Sequence, residues 1–376
     1  MGTLEDILKD INKKYGTGTV RPANEYPLLT RIPSGIFSLD AEIGGGIPKG
    51  RVCIFTGWES TGKTTIAKII MAKFQKTCRN CLGLVDDCGC DNPTPHKAVL
   101  VDVEGSFDKN WFNILGGSVD DLLLIQPQFS EQAVDIVEAL VRSGEVDIIV
   151  VDSIAMMSPA DEIDKSSEDL LVGTHARLIN RMMRSVQAGM NSLGMTNERK
   201  PSVITINQVR KNVGVMYGNP DTYPGGLGQK FASSITVKFT TRHGEFIYED
   251  GKKKDDSPVG VTVRFKVEKN KTFPPMRSGM FKLYTDDCSY AHKGSINVEE
   301  QIADYGVRYG VVQKSGAWFS FDHKGEEKQY QGKQALCNAL VEDSAMADAI
   351  KNIVMTKILE ETEVVISEGI DENEYF

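Results

Sequence analysis

No apolar run in the chain approaches the roughly 20 residues that a transmembrane helix needs, so no membrane span is expected. The N-terminal stretch has no charged segment followed by an apolar one, so no secretory signal is expected. The expected compartment is a reducing cytoplasm, a host's if the source is viral. There is no internal repeat, which sets repeat architectures aside. A basic balance is also lacking: the formal net charge is −9, which alone argues weakly against nucleic acid. Seven of those charges are Glu360, Glu361, Glu363, Glu368, Asp371, Glu372 and Glu374, in a final stretch with no Lys or Arg. An acidic tail can mask a basic face elsewhere, so net charge leaves the partner open. Cysteine is scarce, seven in all, yet four fall within thirteen residues. What is there, 376 residues with 40% hydrophobic and 25% charged, suits a globular protein of about two or three domains.

The chain is organised around residues 57–65, GWESTGKTT, which follow the apolar run 52–56 and open a helical pattern over 66–74. This is strand, glycine-bounded loop, helix, and the spacing fits a phosphate-binding loop at Gly57, Gly62, Lys63 and Thr64. The glycines let successive N–H groups turn onto phosphate oxygens, and the helix N-terminus adds partial positive charge. Glu59, Ser60, Thr61 and Thr65 complete the nucleotide-binding stretch. Lys63 reaches the β- and γ-phosphates, and Thr64 is placed to ligate Mg²⁺. The expected ligand is a nucleoside triphosphate.

Strands at 98–103, 147–151 and 202–206 alternate with helical patterns at 131–142 and 174–193. That predicts an α/β fold with a mostly parallel sheet covered by helices. Ligand chemistry then belongs at the strands' C-terminal ends, where Glu104, Asp152 and Gln208 sit. Asp152 is the expected partner of Thr64 around Mg²⁺. Glu104 is placed to activate a water, with a solvated strand-end carboxylate as the plain alternative. Gln208 can sense a γ-phosphate by hydrogen bonding without adding negative charge.

Residues 158–173 and 209–228 read as long functional loops, the second starting right after Gln208. Arg177, Arg181 and Arg184 share one helix face, either solvated or in contact with phosphates. Met182, Met183 and Met190 read as core. Residues 3–15 read as a helix whose Leu4, Ile7, Leu8 and Ile11 form an apolar stripe, with Thr3 and Asp6 as its capping pair. That stripe packs on the chain's own core or on a neighbouring subunit. Strand follows strand over 233–284, with a polar hairpin near 249–256. Beyond 296 the pattern is helical, with a small strand pair around 318–321.

Cys78-x2-Cys81-x6-Cys88-x-Cys90 lies on a segment, 77–97, with almost no apolar residues. In a reducing compartment disulfides are disfavoured. Four thiolates suit tetrahedral Zn²⁺, which would supply the missing core. Unliganded cysteines are the alternative, and His96 is a possible replacement ligand. Cys53, Cys288 and Cys337 read as isolated and buried.

These motifs together resemble the RecA family of DNA strand-exchange recombinases, of bacterial or phage type. GWESTGKTT, VDVEGSFD, SGEVDIIVVDS, INQVRKNVGVMYGNPDTYPGG, KVEKNK and KSGAWFSF occur in the family's order and near its spacing. The resemblance implies ATP and Mg²⁺ as cofactors. It implies single-stranded DNA, homologous duplex DNA and further copies of the chain as partners, with a single-strand-binding protein as a further candidate. Glu104 looks like the water-activating glutamate and Gln208 like the phosphate sensor. Asp108, Trp111 and Tyr284 match adenine contacts. Lys269 and Lys271 match lysines that reach the neighbouring subunit's ATP. Val172, Arg177, Asn180, Arg184, Arg210, Lys211, Val213, Gly225 and Gly226 match DNA-contacting positions. Lys211, Val172 and Leu227 stand where the family more often has Met, Met and Asn, and the cysteine-rich segment departs from the ordinary bacterial pattern. The resemblance also favours docking of the N-terminal helix on an adjacent subunit.

The expected division is 1–32 for oligomerisation, 33–288 for the ATPase and DNA-binding core, 289–358 for a small α+β C-terminal lobe, and 359–376 for the tail. A ring helicase on the same core and a recombination mediator are the alternative functions. A small-molecule kinase has no readable acceptor pocket.

Overall fold

The computed structural model describes residues 3–16, 19, 20, 22–25, 27–158, 173–194, 196, 198–211, 221–226, 228–241, 245–249 and 257–368. Its main elements in chain order are α1 (Leu4–Tyr15), α2 (Phe37–Ile43), β1 (Val52–Gly57), α3 (Lys63–Gln75), β2 (Ala98–Asp102), α4 (Lys109–Ile114), β3 (Leu122–Ile125), α5 (Ser130–Ser143) and β4 (Ile148–Asp152). There follow α6 (Thr174–Ser192), β5 (Ser202–Gln208), α7 (Gly228–Ala232), β6 (Ile235–Thr240), β7 (Phe246–Ile247), β8 (Gly260–Asn270) and β9 (Ser278–Tyr284). The chain ends in α8 (Val298–Arg308), β10 (Gln313–Ser315), β11 (Trp318–His323), β12 (Glu326–Gln331), α9 (Lys333–Glu342) and α10 (Ser344–Glu368). They fall into two compact units, residues 1–32 with 47–237, and residues 33–46 with 238–376.

In the first unit the strand order is β1-β5-β4-β2-β3, all neighbours parallel. β1, β2 and β4 are buried along their whole length, as runs such as IIVVD require of a sheet covered on both faces. Register sets Gly57 beside Gln208 and Asp102 beside Asp152. The C-terminal ends of four strands therefore form one continuous edge. On one face, Val134, Val137 and Val141 of α5 pack with Ile179, Met182, Met183 and Met190 of α6. The three methionines are core, as expected, and truncating one to Ala would cost about 2–5 kcal/mol.

Helix α1 starts at the expected capping box, with Thr3 and Asp6 bonded reciprocally. None of its residues is buried, and Leu4 and Ile7 are 70% and 51% exposed. Leu8 and Ile11 are half-buried, so among the described residues the stripe is only partly covered.

The second unit joins the antiparallel strands β7, β8 and β9 to a helical lobe with its own core. Glu42 of the wholly buried α2 is ion-paired with Arg277 and Arg308 and accepts from the Tyr305 hydroxyl at 2.7 Å. A buried charge held this way is compensated on all sides. The expected strand pair near 318–321 is a three-stranded meander, β10-β11-β12. β12 reads EEKQYQ and lacks the apolar alternation that marks a strand. The acidic tail is helical as far as Glu368. The expected hairpin tip, most of the loop 158–173 and the centre of the loop 209–228 lie outside the described residues.

Candidate functional site

The phosphate loop leaves β1 at Gly57 and enters α3 at Lys63. Ser60 takes a left-handed conformation at φ 59°, and Gly62, at φ 82°, is the N-cap. Gly62 has no side chain to cap the first turn of α3, so that turn's N–H groups face the loop ready for an anion. The buried Lys63 Nζ donates to the Trp58 carbonyl at 2.6 Å, and Thr61 Oγ1 donates to the same oxygen at 2.9 Å. Burial pulls the Lys63 pKa down, opposed by the charges of Asp152, Glu104 and Glu59.

Asp152 is 3% exposed, and burial pushes its carboxyl up to about 6. A hydrogen bond from Thr64 pulls the other way, while Glu104 and Asp102 add to the rise. Its Oδ1 is buried without a hydrogen-bond partner. A carboxylate oxygen left unpaired beside a threonine hydroxyl and a phosphate loop fits a divalent cation. Thr64 and Asp152 therefore suit Mg²⁺.

Glu104 is not a strand end. β2 stops at Asp102, and the chain then folds over β4, where the Val103 and Glu104 N–H groups both reach the Asp152 carbonyl. That bend delivers the exposed Glu104 carboxylate to Ser153 and Gln208. Ser153 Oγ donates to Glu104 Oε1 at 2.6 Å, and Gln208 Nε2 donates to it at 3.3 Å.

Several neighbours were not singled out from sequence. Lys68 is only 4% exposed and lies among Asp152, Asp102 and Asp108, over the Phe107 ring. Asp102 accepts from the Ser106 and Phe107 N–H groups and from Gln126, shaping the turn that carries Glu104. Nothing in the local pattern around Lys68 distinguishes it from a solvated helix lysine.

Asp108 is the N-cap of α4, with its Oδ1 accepting from the Trp111 N–H at 3.0 Å. The two predicted adenine contacts thus sit on one turn of the first unit. Tyr284 belongs to the second unit, where its ring meets Tyr290 edge-on and burial raises its hydroxyl to about 12. Lys269 and Lys271 also lie there, flanking Asn270, whose amide donates to the Ile43 carbonyl at 3.1 Å. Burial lowers the Lys269 pKa, and the charge of Lys271 lowers it further.

Arg177 and Arg184 are exposed on α6, but Arg181 pairs with Asp135 of α5 at 3.1 Å, so the expected three-arginine stripe is partly neutralised. Asn180 on the same helix faces Gly228, where an added Cβ would collide with the Asn180 side-chain amide. Gly225 and Gly226 hold φ of 90° and 71°, open to glycine and costly for other residues. The end of this loop is gripped from the sheet: Asn207 Nδ2 donates to the Pro224 carbonyl at 2.9 Å and to Gln229 Oε1 at 2.8 Å. Arg210 and Lys211 pair in a short ribbon with Thr222 and Asp221. Val172 and Val213 lie outside the described residues.

The four clustered cysteines converge. The sulfurs of Cys78, Cys81, Cys88 and Cys90 all lie within 4.8 Å of one another, and none forms a disulfide. The Gly83 N–H points to Cys81 Sγ at 3.4 Å. Backbone hydrogen bonding, led by Asn80, draws the Cys78 thiol down to about 6. Contact with the Cys81 thiol pushes Cys90 up to about 12. His96 is not part of the group: its Nδ1 contacts the Thr77 carbonyl at 2.8 Å and its ring lies edge-on to Phe74. Cys53 is buried as expected, whereas Cys288 and Cys337 are partly exposed.

Residues 2–289 match the profile of the RecA N-terminal domain, and residues 300–359 that of the RecA C-terminal domain. Protein RecA of a Thermus thermophilus strain is 38% identical over 375 residues, covering 99% of this chain and 98% of that protein. Protein RecA of Campylobacter fetus is 35% identical over 379 residues, covering 99% and 96%. Protein RecA of Oceanobacillus iheyensis is 40% identical over 336 residues, covering 87% and 86%.

Proposed function

The chain belongs to the RecA family, and from that premise we propose how its own residues carry out ATP-dependent pairing and exchange of homologous DNA strands. As a member it is a DNA-dependent ATPase that forms helical filaments on single-stranded DNA. Lys63 leaves the Trp58 carbonyl for the β- and γ-phosphates, and the N-terminal turn of α3 receives them. Thr64 and Asp152 hold Mg²⁺, which when bound offsets phosphate charge. Glu104 takes the proton of the attacking water, oriented by Ser153. Gln208 reads the γ-phosphate and passes its position to the loop that follows it. Asp108, Trp111 and Tyr284 receive adenine, and Lys269 and Lys271 complete the active site of the next subunit. Arg177, Asn180, Arg184, Arg210, Lys211, Gly225 and Gly226, with Val172 and Val213, line the DNA path.

One observation carries this reading: Glu104 Oε1 accepts from both Ser153 and Gln208, so catalytic base and phosphate sensor share one oxygen. A joint-molecule assay, pairing single-stranded DNA with a homologous supercoiled duplex, tests it. Product that requires ATP is expected. Filaments that fail to pair DNA would favour a mediator, and rings under the electron microscope a helicase.

We assign residues 1–32 to subunit docking, 33–288 to the core, 289–358 to a peripheral lobe and 359–376 to an acidic tail that competes for basic loops. A single-strand-binding protein is a candidate partner, and the cytoplasm the compartment. Beyond ATP and Mg²⁺, we read the four clustered thiols as a structural Zn²⁺ site.

A further inference from the structure

We propose that the metal bound by Cys78, Cys81, Cys88 and Cys90 is a staple for the first unit, holding Arg79 on the buried carboxylate of Asp147. The proposal rests on the zinc reading just given and assigns that site its physical task.

The segment between α3 and β2 has little else to fold on. Its Leu84 is 43% exposed, and its backbone is tied by a few bonds, among them Cys78 N–H to the Gly83 carbonyl and Arg79 N–H to the Thr94 carbonyl. The four sulfurs nevertheless meet within 4.8 Å. Tetrahedral zinc with bonds of roughly 2.3 Å places its sulfurs about 3.8 Å apart, so small adjustments complete the shell. A cluster of four thiols drawn from thirteen residues, without a disulfide and without an apolar core, is held together by a metal in place of a core.

Arg79 follows the first of these ligands. Its Nε lies 3.2 Å from Asp147 Oδ2, and Asp147 is only 1% exposed. Lys49 Nζ holds Oδ1 at 3.1 Å, and the Lys97 N–H reaches Oδ2 at 2.9 Å. Asp147 immediately precedes β4 and Lys97 immediately precedes β2, so this carboxylate ties together the starts of two central strands. The nucleotide residues lie at the opposite ends of the same strands. Releasing Arg79 would leave a buried charge less compensated, which is costly. The metal therefore stabilises the sheet from the end remote from catalysis, and its shell needs no open position for substrate.

The test uses the full-length protein purified without added metal. Mass spectrometry should find about one zinc per chain, absent from the Cys78→Ser, Cys81→Ser variant. Replacement by Co²⁺ should give the visible bands of a tetrahedral cobalt thiolate. A zinc-selective chelator in excess Mg²⁺ should lower the melting temperature by about 5 °C or more. Arg79→Met should keep its zinc, melt lower, and lose most of the chelator's effect, because the two changes act through one contact. Zinc below a tenth per chain, with all four thiols freely titrated, overturns the metal and the staple together. Zinc that is present, but whose removal lowers the melting temperature equally in wild type and Arg79→Met, keeps the metal and overturns the staple. None of these readouts depends on strand exchange, so a failed recombination assay leaves them intact.

Discussion

Gln208 Nε2 reaches Glu104 Oε1 at 3.3 Å, joining the end of β5 to the bend that follows β2, two strands that β4 separates in the sheet. The oxygen is the one that also takes the Ser153 proton donor at 2.6 Å. On the proposed assignment, a γ-phosphate that attracts Gln208 would leave Glu104 Oε1 with the Ser153 hydroxyl as its remaining donor, coupling phosphate sensing to the base.

Glu104→Gln keeps the shape of the side chain and removes its basicity. Turnover of ATP in the presence of single-stranded DNA should fall by about 100-fold or more, as expected on loss of a general base. Nucleotide and DNA binding should persist, because neither uses the proton. Steady-state ATPase and equilibrium DNA binding check this, and near-normal turnover would remove Glu104 from the role.

Asn207 and Gln229 link the sheet to the end of the loop that follows Gln208, through the 2.8 Å bond between them. Asn207 is fully buried, so it has no water to fall back on. Gln229→Leu should cost about 1–2 kcal/mol in stability. It should also weaken ATP-dependent capture of single-stranded DNA about tenfold while leaving the KM for ATP unchanged. Gln229→Asn, which keeps an amide, should recover part of the loss. Equal DNA affinity in all three proteins would show that the clamp is structural only.

The phosphate loop was legible because its chemistry is local: Gly57, Gly62, Lys63 and Thr64 fall within eight residues on a strand–loop–helix pattern. The placement of Glu104 and Gln208 at the sheet's C-terminal edge was legible too, but their meeting with Ser153 at one carboxylate oxygen was not, because it depends on strand register and on the bend after Asp102. Lys68 and Asp147 were hidden for a related reason, since only tertiary packing makes a charged residue buried. Helix α4 spans six residues, too short for a 3.6-residue period to declare itself. The thiol cluster lies between these cases: spacing named the four cysteines that converge, and the fold was needed to set His96 aside.

Glu300 offers a pH test within the second unit. Burial by itself would raise its pKa, but hydrogen bonds from Lys282, Asn297 and Lys333 outweigh burial and hold it at about 2. The folded value lies below the ordinary 4.5, so the network stabilises the protein above that pH and its contribution fades as pH falls toward 2. Glu300→Gln should lower stability by about 1–2 kcal/mol at neutral pH, a modest figure because the group is partly exposed. The gap from wild type should narrow below pH 4.5, followed by chemical denaturation at successive pH values. A gap that stays constant with pH would show that the ion network contributes nothing specific.

Lys269 and Lys271 flank Asn270, which is pinned by its bond to the Ile43 carbonyl and by accepting the Thr272 N–H at 2.9 Å. Burial lowers the Lys269 pKa, and the charge of Lys271 two residues on lowers it further. On the proposed assignment, this pair of cations reaches ATP on an adjacent subunit. Lys269→Ala and Lys63→Ala proteins should each be nearly inactive alone, because every interface lacks one part. Mixed in equal amounts they should regain a fraction of wild-type ATPase, since some interfaces then combine an intact phosphate loop with an intact lysine pair. Recovery should scale with the fraction of such interfaces as the mixing ratio is varied. Full activity of Lys269→Ala alone would remove the lysine from the neighbour's site. Two inactive variants that never complement, despite forming mixed filaments, would place both lysines in the active site of their own subunit.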